Sequence, residues 1–212
     1  GPFDVVFPAL GDADLRGPCL ETAERVIGAL GVPALNRPGA VLATRRDRNA
    51  ARFGNRDDLV FPATIRLDLA ETDPAAAAGR IAAEVGFPAI VRRAATHWGG
   101  TMVLHADVES ARAGLERLGA ATVYAIRFVP APRHDGLSRR LRFHVVDGAL
   151  YPVNVHYADD WNVHGDARER LMGGNQALQR AERAFLDDPE TAIGTAAMRA
   201  LTRLAGWGAD AR

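Results

Sequence analysis

The chain has 212 residues, enough for one large domain or two lobes, with 48% apolar and 25% charged residues as in ordinary globular proteins. Its formal net charge is zero, which argues against bulk attraction to nucleic acid, and its single cysteine, Cys19, excludes an internal disulfide. No apolar run approaches the roughly 20 residues that cross a bilayer and no signal-peptide pattern is present, so no membrane partner and a cytoplasmic location are expected.

In chain order, "FDVVFPAL" reads as a strand, and the absence of an initial methionine before it leads to the expectation of further chain upstream. A helix over about 18–30 follows, with Ala23, Val26, Ile27 and Leu30 on one face and Gly31 as its stop. "VPALNRPGAVLAT" holds Pro33 and Pro38 and reads as an extended connection, and "RRDRNAARF" as a short basic helix ending at Gly54. "ATIRLDL" predicts a strand, and "DPAAAAGRIAAEV" a helix with Asp73 as N-cap and Pro74 at its first position. Strands "AIVRR" and "TMVLH" flank a glycine-containing loop, and a helix over about 107–118 turns Leu115 and Leu118 inward. "ATVYAIRFV", "RRLRFHVV" and "ALYPVNVHY" complete the strands, and helices fill most of 165–205. Mixed strands and helices with a hairpin indicate an α+β fold.

Several chemistries lack their residues. All 26 basic side chains are arginine, so there is no lysine to serve a P-loop, a Schiff base or a general base. Only Ser110 and Ser138 are serines, and neither lies in G-x-S-x-G. H-E-x-x-H, a cysteine cluster and G-x-G-x-x-G after a strand are all missing.

Asp147-Gly148 is a strong two-residue hairpin signal. That turn would pair Val146 with Ala149, His144 with Tyr151 and Arg142 with Val153. Arg142 and His144 would then share a face with Tyr151 and Val153, while Asn154 and His156 would lie with Leu141 and Phe143. An arginine among apolar neighbours needs either an anion or a snorkelling path to solvent. In Arg92-Arg93 the period of two sends only one side chain to each face, making one of them a cleft candidate.

The order of these pieces resembles the ATP-grasp fold over roughly residues 33–165. "TRRDRNAARF" resembles that family's entry helix, "GFPAIVRR" its strand GFPxxxK, "THWGGTMVL" its phosphate loop, "VYAIRFV" its adenine hinge and "RRLRFHVVDGALYP" its arginine-bearing hairpin. "NRPGAVLATRRDR" and "WNVH" resemble modules found in bacterial chains with tetratricopeptide repeats, domains that would be partners in a longer protein. The resemblance implies two lobes clamping ATP, with residues 1–35 ending a preceding α/β lobe, 36–120 forming the small lid lobe and 121–212 an incomplete large lobe, the whole truncated at both ends. It implies an ATP-dependent carboxylate–amine ligase working through an acyl-phosphate, with ATP and Mg2+ as cofactors and a small-molecule or peptide carboxylate and an amine as substrates. Arg48 and Arg92 would match the family's phosphate-contacting lysines, and Gly99 and Gly100 would let backbone amides approach phosphate. Ile126, Arg127, Phe128 and Val129 would border adenine, although Arg127 replaces the family's usual Glu or Gln. Arg142 would face the phosphates or the acyl-phosphate as the catalytic cation.

His156, Trp161 and His164 in "HYADDWNVH" are candidates for holding the acceptor substrate, against the alternative of a hydrogen-bonded loop leading to a helix. Asp210 in "GADA" matches the first metal strand of relatives, and no E-x-N follows it. Trp98 would close the loop or pack on the lobe, and Cys19 reads as structural. The alternative to a ligase is a non-catalytic nucleotide-sensing or peptide-docking domain, and a weaker one an arginine-based anion- or nucleic-acid-binding domain.

Overall fold

A computed structural model describes residues 4–97, 99–131, 133 and 135–210, with 99, 165, 166 and 207–210 described by backbone alone. The fold is α+β, divided into two compact units. The first contains residues 4–55, 61–97 and 101–128; the second contains 56–60, 99–100, 129–131, 133 and 135–210.

In the first unit, α1 (Gly17–Leu30), α2 (Pro38–Leu42) and α3 (Arg46–Phe53) precede β1 (Thr64–Asp68). Helix α1 ends at Gly31, whose φ of 66° is the left-handed conformation a side chain would resist. It buries Leu20 and Ile27 but leaves Val26 and Leu30 exposed. Two expectations fail here. Among its described residues "FDVVFPAL" contributes one parallel bridge, Val6 to Ala34, and Pro8 cannot donate to a ladder. The supposed connection at 33–44 contains α2, with Pro38 at its first turn where a missing N–H is tolerated. Cys19 is exposed rather than structural.

Next, α4 (Pro74–Arg80) begins where the Asp73 carboxylate accepts the N–H groups of Ala75 and Ala76, and it continues as a π turn over Ile81–Val85. β2 (Ala89–Arg93), a 3-10 turn over Gly99–Thr101, β3 (Val103–His105), α5 (Val108–Leu118) and β4 (Thr122–Arg127) follow. Asp107 and Ser110 form a reciprocal capping box at the start of α5. The sheet is antiparallel in the order β1-β4-β2-β3. One face carries Leu67, Val123, Ala125, Ala89 and Val91 onto Ala77, Ile81, Ala111 and Leu115 of the helical layer. Because β4 pairs with β1 and β2, the two units divide after Phe128 rather than at residue 121.

In the second unit, β5 (Ser138–Val146) and β6 (Ala149–Ala158) form the expected hairpin, with Asp147 and Gly148 both at positive φ as a type I′ turn requires. The register holds only as far as Phe143–Pro152. A bulge then places Arg142 opposite Asn154, not Val153, and Arg140 opposite His156. One extra residue reverses every later side chain of β6, so His156 and Asn154 move to the face of Arg140 and Arg142. Pro152, which cannot donate to the ladder, sits beside the bulge. Val155 and Tyr157 now point with Leu141 and Phe143 into a core closed by Met172 of α6 (Gly165–Met172) and Phe185 of α7 (Gln176–Asp187). Helices α8 (Pro189–Ile193) and α9 (Thr195–Asp210) complete the unit, so Asp210 ends a helix instead of opening a strand.

The free edge of β6 is held by a pair of side chains. Val155 donates its N–H to Glu182 Oε1 at 3.0 Å and accepts from Arg168 at 2.7 Å, while Arg168 grips both Glu182 oxygens at 2.6 and 2.7 Å. The Arg168 hydrogen bonds outweigh burial and hold the Glu182 carboxyl below its usual range. A depressed carboxyl contributes stability above its unfolded value of about 4.3, and that contribution disappears as pH falls through the folded value. Melting temperature is therefore expected to fall on acidification below about pH 4.3 more steeply in the wild type than in Glu182→Gln.

Glycines in α4 and α5 give a second test. A Cβ at Gly114 would collide with the buried His105 ring, whereas one at Gly79 would meet open space. Gly114→Ala is expected to cost about 1–3 kcal/mol, and Gly79→Ala to add about 0.5–1 kcal/mol, in urea denaturation.

Candidate functional site

The face of the four-stranded sheet opposite α4 and α5 carries a row of polar side chains. Tyr124 on β4 lies in register with Arg66 on β1 and with Arg92 on β2, so the three cross the sheet side by side. Alternation along β2 turns Arg92 to this face, while the exposed Arg93 donates to the Leu118 carbonyl at 2.8 Å. Of the pair, Arg92 is the one on the face of Tyr124.

Asp14, its side chain 5% exposed, supports this row. It accepts the Tyr124 hydroxyl at 2.7 Å and lies 3.7 Å from Arg66 Nε and 3.9 Å from Arg46. The Arg46 guanidinium stands over the Tyr124 ring at 5.7 Å. Burial, then the bond to Asp14, pushes the Tyr124 hydroxyl well above the usual phenol range. Three arginines thus face one carboxylate, leaving a surplus of two positive charges.

Arg92 also orders the start of the glycine loop. Its Nη2 donates to the Thr96 carbonyl and to Thr96 Oγ1 at 3.2 Å, and its Nη1 lies 3.7 Å from the Met102 sulfur. Its Nε is buried with no hydrogen-bond partner, as is that of Arg66. Burial, with the Arg46 charge beside it, lowers the pKa of Arg92, the signature of a cation short of counter-charge. His97 meets Asp12 at 2.5 Å and ties the loop to the segment before α1.

The remaining candidates are dispersed. Arg48 is exposed and donates to the Leu42 carbonyl at 3.1 Å, while Arg46, two residues earlier, is the arginine of that helix set beside Asp14. Gly99 and Gly100 form the 3-10 turn, and the backbone of Gly100 is not in the left-handed region, so folding alone does not demand glycine there. In the supposed hinge, the N–H groups of Arg127 and Phe128 are already donated to the Ala63 and Pro88 carbonyls, and the Arg127 guanidinium covers Gly86. Ile126 faces the same side as Tyr124, and Val129 is exposed. Arg142 is exposed on the hairpin, on the face of His156. Trp161 and His164 lie in the turn leading to α6. Trp98 and the side chain of Asp210 lie outside the described residues. Among the described residues, no three His, Cys, Asp or Glu side chains gather to hold a metal ion.

Asp14, Arg46, Arg66 and Tyr124 were not singled out from sequence. Only Arg66 carried a signal, as a charge alternating with Ile65 and Leu67 inside a strand.

No family model matches the chain, and no curated protein does. Among solved structures, the chain is similar to an ATP-grasp RimK domain protein from Sphaerobacter thermophilus DSM 20745, with 22% identity, TM-score 0.44 and coverage of 82% of this chain and 64% of that one. It is also similar to D-alanyl-alanine synthetase A from Vibrio cholerae O1 biovar eltor str. N16961, with 12% identity, TM-score 0.45 and coverage of 88% and 60%. A D-alanine-D-alanine ligase from Coxiella burnetii gives 11% identity, TM-score 0.42 and coverage of 91% and 52%. The chain therefore spans less than two thirds of the length of each.

The hydroxyl of Tyr124 is the one short donor to Asp14 among the described residues. Tyr124→Phe is expected to leave that buried carboxylate undersolvated and to cost about 1–3 kcal/mol in urea denaturation.

Proposed function

We propose that the first unit binds ATP through its phosphates, laid across the Arg66–Tyr124–Arg92 row, and that the whole protein is an ATP-dependent carboxylate–amine ligase. The observation that carries the binding is the pair of buried Nε donors of Arg66 and Arg92, neither with a hydrogen bond, on a face with surplus positive charge. A phosphate group supplies both the missing acceptors and the missing charge, and an arginine keeps its proton at any working pH.

The ligase reading rests on the sequence order of strand, glycine loop and arginine-bearing hairpin. In that reaction a carboxylate oxygen attacks the γ-phosphorus and ADP leaves. The amine then attacks the acyl carbon, phosphate leaves, and the amine nitrogen gives up a proton. The arginines bind and orient the phosphates, and they stabilise charge that moves onto the transferring oxygens. Arg142 would meet the acyl-phosphate, and His156 with Trp161 and His164 would receive the acceptor.

Calorimetric titration of ATP tests the binding. Arg66→Ala and Arg92→Ala are each expected to weaken it about 10- to 100-fold, the equivalent of one charged hydrogen bond. Arg93→Ala, on the other face, is expected to change it less than about twofold. Circular dichroism checks that each variant is folded, and folded variants that bind ATP as the wild type does would exclude this face.

A further inference from the structure

The bulge in β6 places a histidine where the hairpin signal alone does not. Arg140 and Arg142 on β5 share a face with Asn154 and His156 on β6, away from the apolar core. Arg140 Nη2 lies 3.2 Å from His156 Nδ1, and among the described residues no carboxylate pairs with Arg140 or Arg142. From the helices packed behind the strand, Arg168 of α6 and Glu182 of α7 also act on the ring, and Glu182 is already held by Arg168.

We propose that Arg140, Arg142 and His156 form a proton-linked site for a doubly charged oxyanion, His156 taking up a proton as the anion binds. This extends the proposed function to the second unit and rests on it only for the source of the anion. The chemistry follows from the ring. Neutral His156 with its lone pair on Nδ1 accepts from Arg140. Once protonated it has two donors and no acceptor, and its Nδ1–H would confront the guanidinium. An oxyanion seated between Arg140, Arg142 and the ring accepts from all three and removes that conflict. Asn154, opposite Arg142, offers an amide donor beside it. In the free protein, burial and then the charges of Arg140, Arg168 and Arg142 lower the pKa of His156, against a smaller opposite effect of Glu182. The ring is therefore neutral near pH 7 and has a proton to gain.

Linkage makes the two events reciprocal: if the anion favours the protonated ring, lowering pH tightens the anion by the same factor. Sulfate is the probe, since its charge is constant across the range. The readout is the ring 13Cε1 resonance of His156 in the labelled full chain, which reports this site and not the arginine row of the first unit. The expected results are a rise in the His156 pKa with sulfate and an affinity that increases up to about tenfold per pH unit between pH 8 and 5. In His156→Gln the affinity should be flat with pH, and in Arg142→Gln, an exposed position, it should fall about tenfold. Displacement of sulfate by ATP or by succinate supports the proposal and shows whether nucleotide phosphate or a carboxylate substrate is the source. A His156 pKa unmoved by saturating sulfate, or a slope retained in His156→Gln, overturns it. Either result leaves ATP binding through Arg66 and Arg92 standing or falling on its own titration.

Discussion

One buried carboxylate makes the arginine-bearing sheet face possible. Arg46, Arg66 and Arg92 would repel one another if brought together out of water, and Asp14 is the negative charge set among them. It is held there by the Tyr124 hydroxyl, which in turn stands in the central row of the sheet. A carboxylate at 3.7 and 3.9 Å from its guanidinium partners gains attraction without short hydrogen bonds to them. That leaves donors such as the Nε of Arg66 and Arg92 uncommitted. Tighter pairing would have favoured folding and spent the same donors internally. The arrangement lowers repulsion only as far as the cluster needs to persist.

Much of the local structure was legible because it depends on neighbours in sequence. Asp73 before Pro74, Gly31 after Leu30 and the Asp147-Gly148 turn are caps and turns whose chemistry lies within four residues. Period two separated Arg92 from Arg93 by the same kind of local rule. Legibility stopped where register decides. That Tyr124 lies between Arg66 and Arg92 follows from pairings between residues 58 and 32 positions apart, and nothing in the sequence of any one strand states it. Asp14 comes from still further away. Arg46 and Arg48 belong to one basic helix, and only its rotational phase against the sheet decides which of them stands beside Asp14.

The hairpin shows how far one residue can carry. A two-stranded ribbon is marginal in water, so β5 and β6 depend on the helices that cover one face. Those helices demand Val155 and Tyr157 beside Leu141 and Phe143, and strict pairing from the turn would have pointed the first two away. The bulge after Pro152 resolves the conflict, and Arg168 with Glu182 fixes the shifted strand through the Val155 backbone. Apolar packing on one face therefore determines the chemistry on the other.

The two faces differ in how their charge is governed. In the first unit the counter-charge is Asp14, a group paired and buried, and the cations are arginines that keep their protons, so the field there is steady over the physiological range. In the second unit the arginines share their face with an imidazole, whose charge changes between pH 5 and 8. Histidine is the side-chain cation that titrates near neutrality, and His156 is one of six in the chain. The position of His156 beside Arg140 makes the charge of that face conditional on what it holds, the ring being neutral when no anion is bound and protonated when an anion offsets the added charge.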